Sequence, residues 1–308
     1  MQADSSDGKN EGMPAPVIHE FAPVARELSG CQSRSDLLSG PRRQPIAQLV
    51  MATAATCDAS VLSLDVFDTF LLRNDKSEAR RFFELSTLVR RKIGSASTQS
   101  ASIPHADVDF LVARIDAMAL CYRVRTAVEG CREGHIRSVV RAARLALDLP
   151  IEIEEEFLAA EVEYESECVI INPALLDAAR EFKARGGRVV LMSDMYLGSE
   201  QIKAIIERLD PSVCRIIDEV FSSADHVLSK RSGKIFALVE RSLGKSGADF
   251  LHIGDALEGD IFQARSAGWN VLHFPISHAE SVRRAADLSR FQTELAALGH
   301  DSTRWAKV

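Results

Sequence analysis

No Cys-x-x-Cys pair occurs in this sequence. Its six cysteines, Cys31, Cys57, Cys121, Cys131, Cys168 and Cys214, are scattered, so neither a zinc site nor a disulfide framework is indicated and they read as reduced, small residues. A Walker A sequence and a Gly-x-Gly-x-x-G run are also missing, so nucleotide binding by those loops has no support. The opening residues mix Asp4, Asp7, Lys9 and Glu11 and lack an apolar segment behind a basic start, which is not the pattern of a secretory signal. The longest apolar run, near residues 46–57, is interrupted by Gln48, Thr53 and Thr56 and is too short to span a bilayer. Positive charge is not in excess either. The 37 basic and 44 acidic side chains give a net charge of -7, which argues against a polyanion-binding surface. The expectation is a cytoplasmic protein with no nucleic-acid and no membrane partner.

What is present suffices for one large core and an accessory domain: 308 residues, 46% of them hydrophobic. Residues 1–43 are rich in Ser, Gly, Pro and charge apart from a short helical stretch at 21–28, and read as a flexible N-terminal arm. The core is expected over 44–74 and 170–290, with a C-terminal tail at 291–308. Residues 44–57 form a helix with Pro45 in its first turn, beside an opening strand at 61–64. Across 75–169 the apolar spacing turns helical. Phe82, Leu85, Leu88 and Val89 mark one face, Phe110, Leu111, Ile115 and Met118 a second, and Ile136, Val139, Val140, Ala143 and Leu147 a third. Pro150 closes the third helix, and 153–168 is an acidic fourth whose glutamates read as a solvated face.

From Asn172 onward helix and strand alternate. Asn172 caps a helix with Pro173 in its first turn, and Gly186-Gly187 ends it. A strand at 188–192 then stops at Ser193-Asp194. A helix at 201–209, a strand at 219–222 and a helix at 233–243 come next. A strand at 249–253 ends in Gly254-Asp255, a helix opened by Asp260 runs to Gly268, and a last strand spans 270–274. This alternation predicts an α/β fold with a doubly wound parallel sheet and an inserted all-helical cap.

In such a sheet the carboxyl ends of the strands share one edge. Asp65, ending the apolar run 61–64, would there meet Ser193, Lys230, Asp255 and Asp260. Acids for a hard cation, an acid as nucleophile, a lysine and a hydroxyl form a set suited to transferring a phosphoryl group with Mg2+.

These residues resemble the four motifs of the haloacid dehalogenase (HAD) superfamily, over a stretch from residue 60 to about residue 278. Asp65-Val66-Phe67-Asp68-Thr69 is similar to the first motif, Ser193 to the second, Lys230 to the third, with Arg231 where the family keeps proline, and Gly254, Asp255 and Asp260 match the fourth. The resemblance implies that Asp65 forms an aspartyl-phosphate, that Ser193 holds the phosphoryl oxygens, that Lys230 is the third catalytic residue, that Asp65, Phe67 and Asp255 form the metal site for Mg2+, and that Thr69, Asp194, Gly254 and Asp260 support them. There is room for an insert between Asp65 and Ser193 and none between Ser193 and Lys230, so the resemblance implies a C1-type cap, a lid that selects substrate. More narrowly the chain looks like bacterial HAD hydrolases with an Asp-Ile-Phe-Asp-Thr signature, some of which occur beside or fused to glycosyltransferases, which implies an association with glycosyltransferase or polysaccharide pathways.

One position departs from the pattern. Family phosphatases carry an acid two residues after the nucleophile, and here Phe67 stands there. Loss of a positioned general acid costs about 10² to 10⁴ in rate. Asp68 is a candidate replacement, against the plainer role of bracing the loop. The expected function is therefore a Mg2+-dependent phosphatase of a small phosphorylated metabolite. The alternative is a catalytically weak binding or regulatory module, with a phosphonatase- or dehalogenase-like hydrolase as a minor one, for which Lys76 and Lys92 are the insert's candidate lysines. His252, inside an apolar strand, reads as a satisfied core histidine. Arg73, Arg80 and Arg81 either meet an anionic substrate or lie on the surface, and Lys234 competes with Lys230.

Overall fold

Residues 61–65 are buried without exception, as in a strand covered on both faces. The computed structural model describes residues 18–96 and 105–301. Its helices are α1 (Ile18–Gly30), α2 (Arg34–Ser39), α3 (Arg43–Thr56), α4 (Glu78–Ala96), α5 (Asp107–Val124), α6 (Ile136–Ala146), α7 (Glu154–Cys168), α8 (Pro173–Ala184), α9 (Ser199–Leu209), α10 (Ser223–His226), α11 (Lys234–Leu243), α12 (Ala264–Ser266) and α13 (His278–Ala297). The strands are β1 (Val61–Asp65), β2 (Leu71–Arg73), β3 (Val169–Ile171), β4 (Arg188–Ser193), β5 (Glu219–Ser222), β6 (Phe250–Gly254) and β7 (Asn270–His273).

Five strands form one parallel sheet in the order β5-β4-β1-β6-β7, the doubly wound α/β arrangement expected from the alternation. After β1 the chain steps outward to β4 and β5, then returns to the other side of β1 with β6 and β7. That reversal makes the carboxyl end of β1 the switch point, where such sheets open a crevice. Strand alternation assigns the two faces. Leu62, Leu64, Leu191 and Ile253 pack into the core shared with α3, α8 and α9, whereas Val61, Val190, Met192 and Phe250 pack on Ile235, Phe236 and Val239 of α11.

Helices α4 to α7 lie between β2 and β3, which pair antiparallel with Leu71 opposite Ile171. Sequence periodicity missed β3, because three residues are too few to show a period of two. The acidic helix α7 is not simply a solvated face. Glu161 and Glu165 are buried and face Arg114 at 2.7 Å and Arg81 at 3.4 Å. Among the described residues no helix is long and apolar enough to cross a membrane.

Two expected segments differ. Residues 1–17 of the expected arm lie outside the described residues. Of the rest, α1 contains the helical stretch expected at 21–28, and the part expected to be flexible folds as α2; both pack, because Leu28 and Leu38 are fully buried and Arg34 makes buried ion pairs with Asp68 and Glu280. The expected C-terminal tail begins inside α13, where Phe291 and Leu295 are buried; residues 302–308 lie outside the described residues.

Candidate active site

The first loop is built by short backbone bonds. Asp65 leaves β1 opposite Met192, Val66 N–H donates to the Met192 carbonyl, and Leu71 N–H turns back onto the Val66 carbonyl at 2.7 Å. Asn172, which caps α8 through its side-chain oxygen, donates its amide to the Thr69 carbonyl at 3.0 Å. A cleft of about 270 Å³ opens here. Asp65, Phe67, Asp68, Arg73, Ser193, Asp194, Lys230, Asp255 and Asp260 all line it, so chain segments far apart in sequence converge as the sheet edge requires.

Lys230 is buried and its ammonium donates to Asp65 Oδ1 and Asp260 Oδ1, each at 2.5 Å. Burial alone would push this lysine down, but the Asp260, Asp65 and Asp194 carboxylates outweigh it and hold it protonated. Its loop is set by Asp194, whose two oxygens accept the backbone N–H groups of Lys230 at 2.7 Å and Arg231 at 3.0 Å. The competitor Lys234 reaches the Glu129 carbonyl instead. Ser193, at the end of β4, is buried in the cleft wall, whereas the Thr69 hydroxyl is buried without a hydrogen-bond partner among the described residues.

Asp260 lies within a π-helical turn, Leu257–Gln263, rather than opening the helix as expected. There it accepts from Lys230, from the Ala256 N–H at 2.9 Å, and faces His252 Nε2 at 3.2 Å. Burial works against its charge, yet Lys230 and His252 keep it well below the usual carboxylate range. A Cβ on Gly254 would stand 2.3 Å from Asp260 Cγ, so glycine is required by this close approach. His252 is satisfied in the core, its Nδ1 2.8 Å from Ser63 Oγ, but it also backs Asp260, a role its setting in an apolar strand did not announce.

Carboxylate oxygens of Asp65, Asp255 and Asp260 lie within 4.8 Å of one another, and Asp65 Oδ2 is buried without a partner among the described residues. Burial, with the charges of Asp260 and Asp255 adding, pushes Asp65 up; burial, Asp68 and Asp260 push Asp255 up to about 6. One ammonium among three carboxylates leaves the cluster short of positive charge, and an oxygen-seeking divalent cation fits it. Phe67, expected in the metal set, has no donor atom in its side chain. Only its backbone carbonyl could serve, and its ring instead lies under the Arg73 guanidinium, 4.2 Å from carbon to ring centroid.

Asp68 does not sit as a free acid. It adopts a left-handed backbone (φ 65°), which aspartate tolerates better than most residues. Arg284 grips its carboxylate at 2.6 and 3.1 Å, and Arg34 bonds both its carbonyl, at 2.5 Å, and its carboxylate, at 3.3 Å. Burial opposes its charge, but the Arg284 hydrogen bonds and the charges of Arg73, Arg284 and Arg34 hold it down at about 2. As a replacement proton donor it is therefore contradicted. Of the other arginines, Arg80 pairs with Asp287 and Glu294 and Arg81 with Glu165, leaving Arg73 as the one of the three that lines the cleft. Lys76 and Lys92, the insert's candidate lysines, pair with Glu84 and Glu163 and do not line it. Arg34 and Arg284 were missed by sequence reasoning, since charged residues in a polar arm and a polar terminal helix read as surface.

The carboxyl edge of the α/β sheet thus carries a lysine-bridged carboxylate cluster at its switch point. A family model for haloacid dehalogenase-like hydrolases matches residues 64–268, and the chain belongs to that family. No curated protein matches the sequence. Among solved structures it is similar to a HAD family enzyme from Bacteroides thetaiotaomicron, at 16% identity and a TM-score of 0.47 over 70% of this chain and 93% of that one. A second structure of that enzyme, in complex with magnesium and inorganic phosphate, gives 15%, 0.45 and the same coverage. An L-2-haloacid dehalogenase from Xanthobacter autotrophicus is 15% identical with a TM-score of 0.41, over 69% of this chain and 76% of that one.

Proposed function

We propose that this HAD-type hydrolase is a Mg2+-dependent phosphatase acting through an aspartyl-phosphate on Asp65. The observation that carries this reading is the split between the two Asp65 oxygens in a cluster of three carboxylates: Oδ1 is fixed by Lys230 at 2.5 Å, and Oδ2 is buried with no hydrogen-bond partner among the described residues. Asp65 Oδ2 and Asp255 would hold the ion, with the Phe67 carbonyl as the available backbone donor. When bound, Mg2+ neutralises charge on the phosphoryl oxygens and on the cluster.

The chain's own residues do the remainder. Lys230 offers the phosphoryl group a charge fixed by Asp260, and Ser193 offers a hydroxyl from the adjoining strand end. Asp260, braced by His252 and the Ala256 N–H, keeps the ammonium in place. Asp65 attacks phosphorus, the leaving oxygen departs with its electron pair, and water later cleaves the aspartyl-phosphate. Phosphate release that requires Mg2+ and falls to background in Asp65→Asn is the expected result. Release at wild-type rate by that variant would rule the reading out.

A binding or regulatory module remains the competing reading, favoured by one observation: with Phe67 in place of an acid and Asp68 clamped by arginines, neither residue can supply a proton. Metal binding without turnover across a broad phosphate-ester panel would support it.

A further inference from the structure

Beside Ser193, Asp194, Arg231 and Glu258, two sets of side chains line the cleft. Asp65, Lys230, Asp255 and Asp260 form the ion-paired cluster. Phe67, Arg73 and Met195 form the other: the Arg73 guanidinium lies over the Phe67 ring, and its Nη2 donates to Met195 Sδ at 3.0 Å. This stack occupies the position two residues beyond the nucleophile.

Arg73 is held loosely by its neighbours. Its Nε is buried without a partner among the described residues, and its approach to the Asp68 carboxylate is 3.7 Å, against 2.6 Å for Arg284. Around Asp68 and Glu280 stand three guanidinium groups, Arg34, Arg73 and Arg284, and the Asp255 carboxylate lies near enough to feel both Asp68 and Arg34. Of the three, Arg73 is the member held in the cleft wall, with its side chain 14% exposed, and the one with the longest approach to Asp68. Phe67 fixes the guanidinium plane by stacking, and a thioether is a weak acceptor that a ligand oxygen would displace.

An arginine stays protonated throughout the working range of an enzyme. It can stabilise negative charge developing on an oxygen but cannot hand over a proton. We infer that Arg73 is a further catalytic residue, receiving the leaving-group oxygen as an anion, and that the substrates are phosphoryl donors with weakly basic leaving groups, acyl phosphates above all. The inference rests on the phosphatase reading given above. In the first step the Asp65 carboxylate forms a bond to phosphorus as the bond from phosphorus to the acyl oxygen breaks; its electron pair stays on the departing carboxylate, and no proton is transferred. In the second, water bonds to phosphorus, the bond to Asp65 breaks, and both protons of the water leave on the phosphate product. An acyl phosphate dianion and water thus give a carboxylate and dihydrogen phosphate, with charge balanced.

The test is kcat/KM with Mg2+ for acetyl phosphate, for phenyl phosphates graded in leaving-group pKa, and for an alkyl phosphate such as glycerol phosphate. The expected preference for acetyl over alkyl phosphate is about 10²-fold or more, the size of a missing acid. Arg73→Met should lower kcat on acetyl phosphate about 10²-fold, the size of a lost charge-stabilising donor, while leaving inhibition by inorganic phosphate unchanged, and Arg73→Lys should recover part of the loss. In Phe67→Asp, the alkyl phosphate should gain more than acetyl phosphate does. Equal rates on acetyl and alkyl phosphates, or an Arg73→Met variant whose phosphate inhibition weakens as much as its kcat falls, would overturn the inference while leaving the phosphatase reading intact. No turnover by wild type on the whole panel would overturn both.

Discussion

Asp68 shows what separates a residue's chemistry from its type. A carboxylic acid in the loop after Asp65 reads as a proton donor by residue type, yet Arg284 and Arg34 fix its charge, and its carboxyl is held at about 2. Because the folded value is depressed, the stability it contributes is complete above the ordinary aspartate range and is lost as pH falls through about 2. Asp68→Asn, which leaves buried arginines short of a partner, should cost about 3 kcal/mol near neutral pH. Denaturant titrations should show that deficit shrinking as pH drops from about 4 towards about 2; a deficit constant over that window would contradict the assignment. Gly254 works by what it lacks. Gly254→Ala should displace Asp260 and with it Lys230, lowering kcat about 10²-fold with a small change in Tm, and unchanged kcat would show that the contact at 2.3 Å can relax freely.

At the scale of elements, the candidate active loop is held from both ends of the described chain. Arg34 on α2 bonds Asp68 and Glu280, Arg284 on α13 bonds Asp68, and Ser277, the cap residue of α13, accepts from the Glu280 N–H. Arg34→Met should therefore destabilise the fold by about 3 to 5 kcal/mol, the usual cost of breaking a buried ion pair from one side, and thermal unfolding would measure it; a Tm equal to wild type would mean that α2 is peripheral. Nothing in the sequence marks this clamp, since Arg34 stands among serines and its partner lies far along the chain. The strands β1, β4, β5, β6 and β7 were legible because strand and helix alternate with distinct periods and because Asn172, Pro173 and Gly186 mark a helix start and stop. Strands β2 and β3 were not, being three residues each. In α7 an acidic composition hid the difference between exposed Glu155 and buried Glu161, which depends on a partner, Arg114, on another helix.

For the whole molecule, the sheet order explains why Asp65, Ser193, Lys230, Asp255 and Asp260 could be grouped from sequence alone: each lies at a strand end or in the loop beyond, and a doubly wound sheet brings those loops to one edge. What the sequence could not show is how the edge is finished. Among the described residues, those lining the cleft come from the loops of the sheet and from β2, and none from α4 to α7. The inserted helices are tied to the sheet by a buried set in which Arg114 donates to Glu161 at 2.7 Å and to Tyr196 at 2.9 Å, next to the second-motif loop. Acid quenching of the wild-type protein during turnover of acetyl phosphate with Mg2+, followed by peptide mass spectrometry, should find one phosphoryl group on the peptide carrying Asp65, and none in Asp65→Asn. Sustained phosphate release by wild type with no phosphoryl group on that peptide, or its persistence in the variant, would contradict the account.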